Sequence, residues 1–204
     1  MIAIVDYGLG NVQAFANIYK RLNVPVTFAR TSEELEGASH IVLPGVGAFD
    51  CSMERLNASG MRSTLDQLVL DAGLPVLGVC VGMQMMAHRS EEGSARGLGW
   101  FDADVLRLDE SRILGRTHLP HMGWNDVAPN DEIGLFEEVG RASRFYFLHS
   151  YVVAPRCKND VLATTQYGSI FACALRRQNI HGVQFHPEKS HGWGIQLLKN
   201  FAGL

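Results

Sequence analysis

The chain has 204 residues, 47% of them hydrophobic and 19% charged, enough for one packed domain and unlike a disordered or fibrous composition. A formal net charge of −3 gives no electrostatic footing for nucleic acid or an acidic membrane surface as a partner. No segment approaches the ~20 apolar residues needed to span a bilayer; the start MIAIVDYG lacks the basic lead of a signal peptide, and cysteines at 51, 80, 157 and 173 without C-x-x-C spacing suit a reducing cytoplasm.

Ile2–Val5 reads as a short apolar strand and Asp6–Asn11 as the loop after it. Val12, Phe15, Ala16, Ile18, Tyr19 and Leu22 then recur at helical spacing. Gly8-x-Gly10 lacks the third glycine of a dinucleotide fingerprint, with Gln13 in its place, so a tight turn is the better reading. Val24–Phe28 is a second strand, Ser32–Leu35 a short helix capped by Thr31 or Ser32, and His40–Leu43 a third strand. That strand runs into Pro44-Gly45-Val46-Gly47-Ala48-Phe49. A glycine-rich loop of this kind either turns backbone N–H groups toward an anion or simply joins strand to helix, and spacing leaves both open.

Helical segments over Cys51–Leu56 and Met61–Leu70 lead to Leu74–Ala87, LPVLGVCVGMQMMA. Leu74, Val76, Leu77 and Val79 read as a strand buried on both faces. The chain turns at Gly78-Val79-Cys80-Val81-Gly82 and continues in helix formers, Met83 to Ala87. Small residues two before and two after a central nucleophile give the strand-to-helix elbow of hydrolases, here with cysteine at its centre. Unpaired N–H groups and a helix dipole at such a turn favour thiolate over thiol. A buried structural cysteine is the competing reading, and a base decides between them.

The β-α alternation to this point predicts a parallel sheet with helices on both faces, with the loops at 6–11, 44–49 and 80–84 on one rim. Arg89–Gly99 is polar and glycine-rich, a surface loop. From Phe101 the runs Asp104–Leu108, Thr117–Leu119, Arg144–Leu148, Val161–Gln166, Ile170–Leu175 and Ile180–Gln184 lean to β structure. Gly194–Phe201 closes the chain as an amphipathic helix. The fold class expected is α/β, a single domain over 1–204, with a mostly parallel central sheet flanked by helices and extra mixed or antiparallel strands in the C-terminal half.

Among eight histidines, His186 is the candidate base, because Pro187 and Glu188 follow it. In extended backbone His186 and Glu188 project from one face, so a carboxylate can orient an imidazole that receives a proton from a thiol. A metal site is disfavoured. His181, His186 and His191 recur at intervals of five, which fits neither one face of a strand nor the i, i+4 pairing of helical zinc sites. His149, beside Ser150 and Tyr151, is a rival base that reads better as part of a substrate-binding loop.

The segments Gly78-Val79-Cys80-Val81-Gly82-Met83-Gln84 and Gly182-Val183-Gln184-Phe185-His186-Pro187-Glu188 resemble the nucleophile and base segments of the class I, triad-type glutamine amidotransferases, whose fold is flavodoxin-like. Asp6–Asn11, Pro44–Gly47, Pro120-His121-Met122-Gly123-Trp124-Asn125, His149–Tyr151 and Lys189-Ser190 extend the likeness along the whole chain, toward the glutaminase branch that serves imidazole glycerol phosphate synthesis. The resemblance implies a Cys80–His186–Glu188 triad that hydrolyses L-glutamine through a glutamyl thioester, without metal or cofactor. It implies oxyanion donors at Val81 and in the Gly45–Gly47 loop, at Val46 or Gly47, where Val46 departs from the Pro-Gly-Gly of many relatives and suggests a loop that must rearrange. Gly45, Gln84, His149, Ser150 and Tyr151 would hold glutamine.

The same resemblance implies a separate (β/α)8-barrel cyclase subunit that receives the ammonia, in a heterodimer of histidine biosynthesis, with Asn11, Trp124, Tyr146 and Lys189 toward the interface. That the triad fold consumes the chain points the same way. Three alternatives stand beside this reading. They are a glutaminase of the same class serving another synthase, such as one amidating a surface sugar, a stand-alone thiol hydrolase of γ-glutamyl substrates, and a scaffold subunit.

Overall fold

A strand that is apolar at every position cannot lie in a sheet with one wet face. In the computed structural model, which describes residues 1–113, 118–131, 133–140 and 142–204, β1 (Ile2–Val5) is buried throughout. It lies between β2 (Val26–Ala29) and β3 (His40–Gly45), parallel to both. The helix α1 (Val12–Arg21) supplies the first crossover, burying Phe15, Ala16, Ile18 and Tyr19. After α2 (Phe49–Ala58) and α3 (Arg62–Asp66), which runs on into a π-helical turn, comes β4 (Val76–Cys80), also buried at every position and parallel to β3. The short α4 (Val81–Met85) leaves β4 without a connecting loop.

The second half adds β5 (Ala103–Arg107), β6 (His121–Asp126), β7 (Ala128–Pro129), β8 (Arg144–His149), β9 (Tyr151–Pro155), β10 (Val161–Tyr167), β11 (Ser169–Arg177), β12 (Ile180–Val183) and the closing helix α5 (His191–Phe201). The central sheet has the order β2-β1-β3-β4-β12-β11-β10-β7. Strand β12 inserts parallel to β4, and from β12 outward the pairing is antiparallel. The pairs β5–β9 and β6–β8 stand outside that sheet. This is the expected α/β class, with the parallel half first and the antiparallel strands added to it.

Several boundaries differ from the sequence reading. Neither Thr31 nor Ser32 caps the turn at Glu33–Leu35 through its hydroxyl; the Glu34 carboxylate instead accepts the N–H groups of Arg30 and Thr31 at 2.7 and 3.3 Å. Strand β3 extends through Pro44 and Gly45, which pair with Val79 and Cys80, so the glycine-rich loop begins only at Val46. No strand forms at His118 and Leu119, and Thr117 lies outside the described residues. The strand is β6 instead, and β9 also appears where none was expected.

The loops at 6–11, 44–49 and 80–84 do lie near one end of the sheet, though not as equals. The first sits beneath the second: the Tyr7 hydroxyl donates to the Pro44 carbonyl at 2.8 Å and lies 3.5 Å from Met85 Sδ.

Candidate active site

Cys80 ends β4 with φ +56° and ψ −114°, a region that non-glycine residues seldom occupy and that costs about 1–3 kcal/mol. The elbow is held in that shape by backbone packed on backbone. A Cβ on Gly82 would lie 2.0 Å from the Leu43 carbonyl oxygen, and one on Gly45 would lie 2.3 Å from the Gly82 nitrogen. Glycine at both positions lets the ends of β3 and β4 close on each other, which sets the Cys80 side chain on the wall of a cavity of about 270 Å³.

His186 lines the same cavity, within hydrogen-bonding reach of the Cys80 sulfur. On its other side, Nδ1 pairs with Glu188 Oε1 at 2.9 Å, both side chains almost wholly buried. The expected partnership is present, but the backbone that makes it is not extended: Pro187–Lys189 is a 3₁₀ turn with His186 as its cap. The imidazole is also fixed through its own main chain. Its N–H donates to the Tyr146 carbonyl at 2.8 Å, while the Ser190 hydroxyl donates to the His186 carbonyl and accepts the Tyr146 N–H. Burial alone would lower the His186 pKa. Its hydrogen bonds to Cys80 and Glu188, together with their charges, outweigh burial and raise it to about 10.

His149 lines the cavity as well, but its ring is committed. Nδ1 donates to the Tyr151 carbonyl at 2.9 Å, which leaves Nε2 to accept from His121 Nδ1 at 3.0 Å. The acceptor-only carbonyl fixes that tautomer. Burial, then the neighbouring His121, lower the His149 pKa to about 3. A neutral ring with both nitrogens occupied is no base for Cys80. His181 and His191 lie apart, one against Phe201 in the core and the other stacked on Trp124.

Of the other residues singled out in the sequence, Val46, Gly47, Val81, Gln84, Ser150, Tyr151 and Lys189 all face the cavity. Gly45 stands behind it, against the elbow. Gln84 has less to offer a ligand than expected, since its Nε2 already donates to the Tyr151 carbonyl at 3.1 Å and to Gln184 Oε1 at 3.0 Å. Trp124, Tyr146 and Lys189 form a cluster beside the cavity. The two rings are edge-to-face at 6.3 Å, and the Lys189 ammonium lies 5.7 Å from the Tyr146 centroid. Asn11 caps α1, its side chain accepting the Ala14 N–H at 3.4 Å.

Glu92 is the functional candidate that sequence reasoning missed. It belongs to the stretch read as a surface loop, yet it reaches back to accept the Phe49 N–H at 2.8 Å and lines the cavity.

A thiol, an imidazole and a carboxylate gathered at the carboxyl end of a parallel sheet, beside a cavity of about 270 Å³, are the groups that a cysteine hydrolase of small substrates requires. Residues 3–203 match the family model for class-I glutamine amidotransferase. Two relatives called imidazole glycerol phosphate synthase subunit HisH, from Bdellovibrio bacteriovorus and Leptospira borgpetersenii, are 55% and 47% identical over the full length of both chains. A solved structure described as a glutamine amidotransferase has the same fold, with a TM-score of 0.75 at 20% identity over 100% of this chain and 99% of the other. The chain belongs to the class-I glutamine amidotransferases, and it is an enzyme of glutaminase chemistry.

Proposed function

We propose that residues 1–204 work as a single glutamine amidotransferase domain, the glutaminase subunit of an imidazole glycerol phosphate synthase in histidine biosynthesis. The observation that carries the reading is the Cys80–His186–Glu188 line beside the cavity, in a chain 55% identical to a subunit of that synthase. In this reading Cys80 attacks the side-chain amide of L-glutamine and His186 hands the thiol proton to departing ammonia. A water then releases glutamate from the thioester, while Glu188 holds the imidazole in register. The Val81 N–H, unpaired within its own helix, serves the oxyanion, with a second donor from Val46 or Gly47.

Glutamine binds as a zwitterion, so its α-ammonium needs an anion. Glu92 is the one acidic residue lining the cavity among the described residues. Gln84 then contributes its oxygen rather than its amide N–H groups, and Gly45, His149, Ser150 and Tyr151 shape the wall.

Ammonia made here passes to a separate (β/α)8-barrel cyclase, the two chains forming a heterodimer in the cytoplasm. The cluster of Trp124, Tyr146 and Lys189 supports that docking face, to which the same reading assigns Asn11. Unpaired cysteines, two of them exposed, suit a reducing compartment.

The test is synthesis by this chain together with the cyclase. Cys80→Ser is expected to abolish the glutamine-dependent reaction and to leave the ammonium-dependent one intact. Loss of both would refute the division of labour, and full activity of the isolated chain without any partner would favour a stand-alone hydrolase.

A further inference from the structure

Two contacts to the nucleophile play no part in that mechanism, the Leu148 carbonyl and the Gln184 side chain. Gln184, fully buried just beyond the end of β12, places its side-chain nitrogen 3.8 Å from the Cys80 sulfur. Which end of a glutamine amide faces a neighbour is normally ambiguous, and here it is decided by the chain of bonds behind it. The Tyr151 carbonyl can only accept, so Gln84 must present its NH₂ group to it. That same NH₂ group lies 3.0 Å from the Gln184 amide, which must therefore present oxygen to it. Only the Gln184 NH₂ group is left for the sulfur. A backbone carbonyl two side chains away thus determines that Cys80 meets a donor.

We infer that Gln184 is a positioning residue for the nucleophile, giving the Cys80 sulfur an N–H in addition to that of the imidazole and selecting its ionised form. Among the described residues the sulfur has three hydrogen-bonding neighbours. The Leu148 carbonyl, at 3.9 Å, can be satisfied only by a thiol S–H. His186 and Gln184 offer donors that a thiolate receives and a thiol largely wastes. Hydrogen bonds to the charged form favour it, and with one donor removed the Leu148 carbonyl tips the balance toward the protonated sulfur. Gln84 has a part in this as well: it locks the amide that faces the sulfur while lining the glutamine cavity.

The inference rests on Cys80 being the nucleophile, and alkylation by iodoacetamide separates the two claims. In the unsubstituted full-length chain, Cys80 is expected to be the cysteine modified fastest, with loss of glutaminase activity. Slower modification than at exposed Cys51 and Cys157 would overturn both claims. Gln184→Met keeps the shape and removes the donor. It is expected to slow Cys80 alkylation at about pH 6 by roughly fivefold or more, and at about pH 9.5, above the range in which a free thiol ionises, by less than about twofold. A residue that merely fills space would change both rates alike or neither, and either result overturns the assignment.

Because Gln184→Met leaves the Gln84 amide short of an acceptor, the unsubstituted chain supplies a second reading that needs no variant. The side-chain ¹⁵N–H resonances of Gln184 should move as Cys80 ionises and jump on its alkylation. Resonances that stay in place through that titration would count against the contact.

Discussion

At the scale of single residues, the site depends on holding a charge where burial resists it. His186 is buried, yet its pKa is raised to about 10, because its bonds to Cys80 and Glu188 outweigh the loss of solvation. The imidazolium partner of the sulfur therefore persists well above the ordinary histidine range. Glu188→Gln removes one of the two groups responsible while keeping an oxygen opposite Nδ1. The alkaline limb of glutaminase kcat/KM should move to lower pH in that variant, and the maximal rate should fall by about 10²–10⁴-fold, as for a triad that has lost its orienting carboxylate. A limb that stays in place would mean that Cys80 alone sets the imidazole. Glu92→Gln belongs at the same scale. It should raise KM for glutamine by about tenfold or more with kcat little changed, the pattern of lost uniform binding; an unaltered KM would assign Glu92 to capping α2 and nothing else.

At the scale of elements, β3, β4 and α4 are locked through glycine. Gly82→Ala places a methyl group 2.0 Å from a carbonyl oxygen that has no flexible side chain to yield. The expected cost is about 1–3 kcal/mol, a fall of roughly 2–12 °C in Tm for a chain of this size, together with loss of activity as Cys80 shifts. An unchanged melting curve would show the elbow to be looser than its packing implies. This is also the part of the site the sequence made legible, since G-x-C-x-G states its geometry within five residues and H-P-E keeps base and carboxylate two apart. Strand β6 was hidden for a physical reason. Its better-buried positions, His121, Gly123 and Asn125, are polar or bare, and its most exposed ones include Met122 and Trp124. That inverts the alternation by which a half-buried strand is recognised. The inward face is satisfied by hydrogen bonds among His121, His149 and Asn125 instead of by an apolar core. Glu92 was hidden for another reason: it acts across the fold, from a segment whose local composition is that of solvated loop.

At the scale of the whole molecule, the buried histidines set opposing limits on stability. His121, His149 and His181 are buried; burial, joined at His149 by nearby His121, lowers their pKa values to about 4, 3 and 4. Between those values and the unfolded histidine value near 6.5, the unfolded chain binds protons that the folded chain refuses, so stability rises with pH across that window and levels off above it. His186 works in the other sense. Its folded pKa of about 10 means that its contribution is fully present below about pH 6.5 and is lost as pH climbs toward 10. Together they predict a Tm that peaks near neutral pH and falls on both sides. The two limbs should respond to different substitutions. His181→Gln, remote from the cavity, with Nδ1 bonded to the Asn179 carbonyl at 3.2 Å, should flatten the acid limb by one proton's share, about 1.4 kcal/mol per pH unit at most. Glu188→Gln should flatten the alkaline limb and leave the acid one alone. Thermal melts from about pH 4.5 to about pH 9.5 check both at once. A Tm that stays level down to pH 5 would show that these rings take up protons in the folded chain, and with that the neutral His121–His149 pair at the cavity wall would be ruled out.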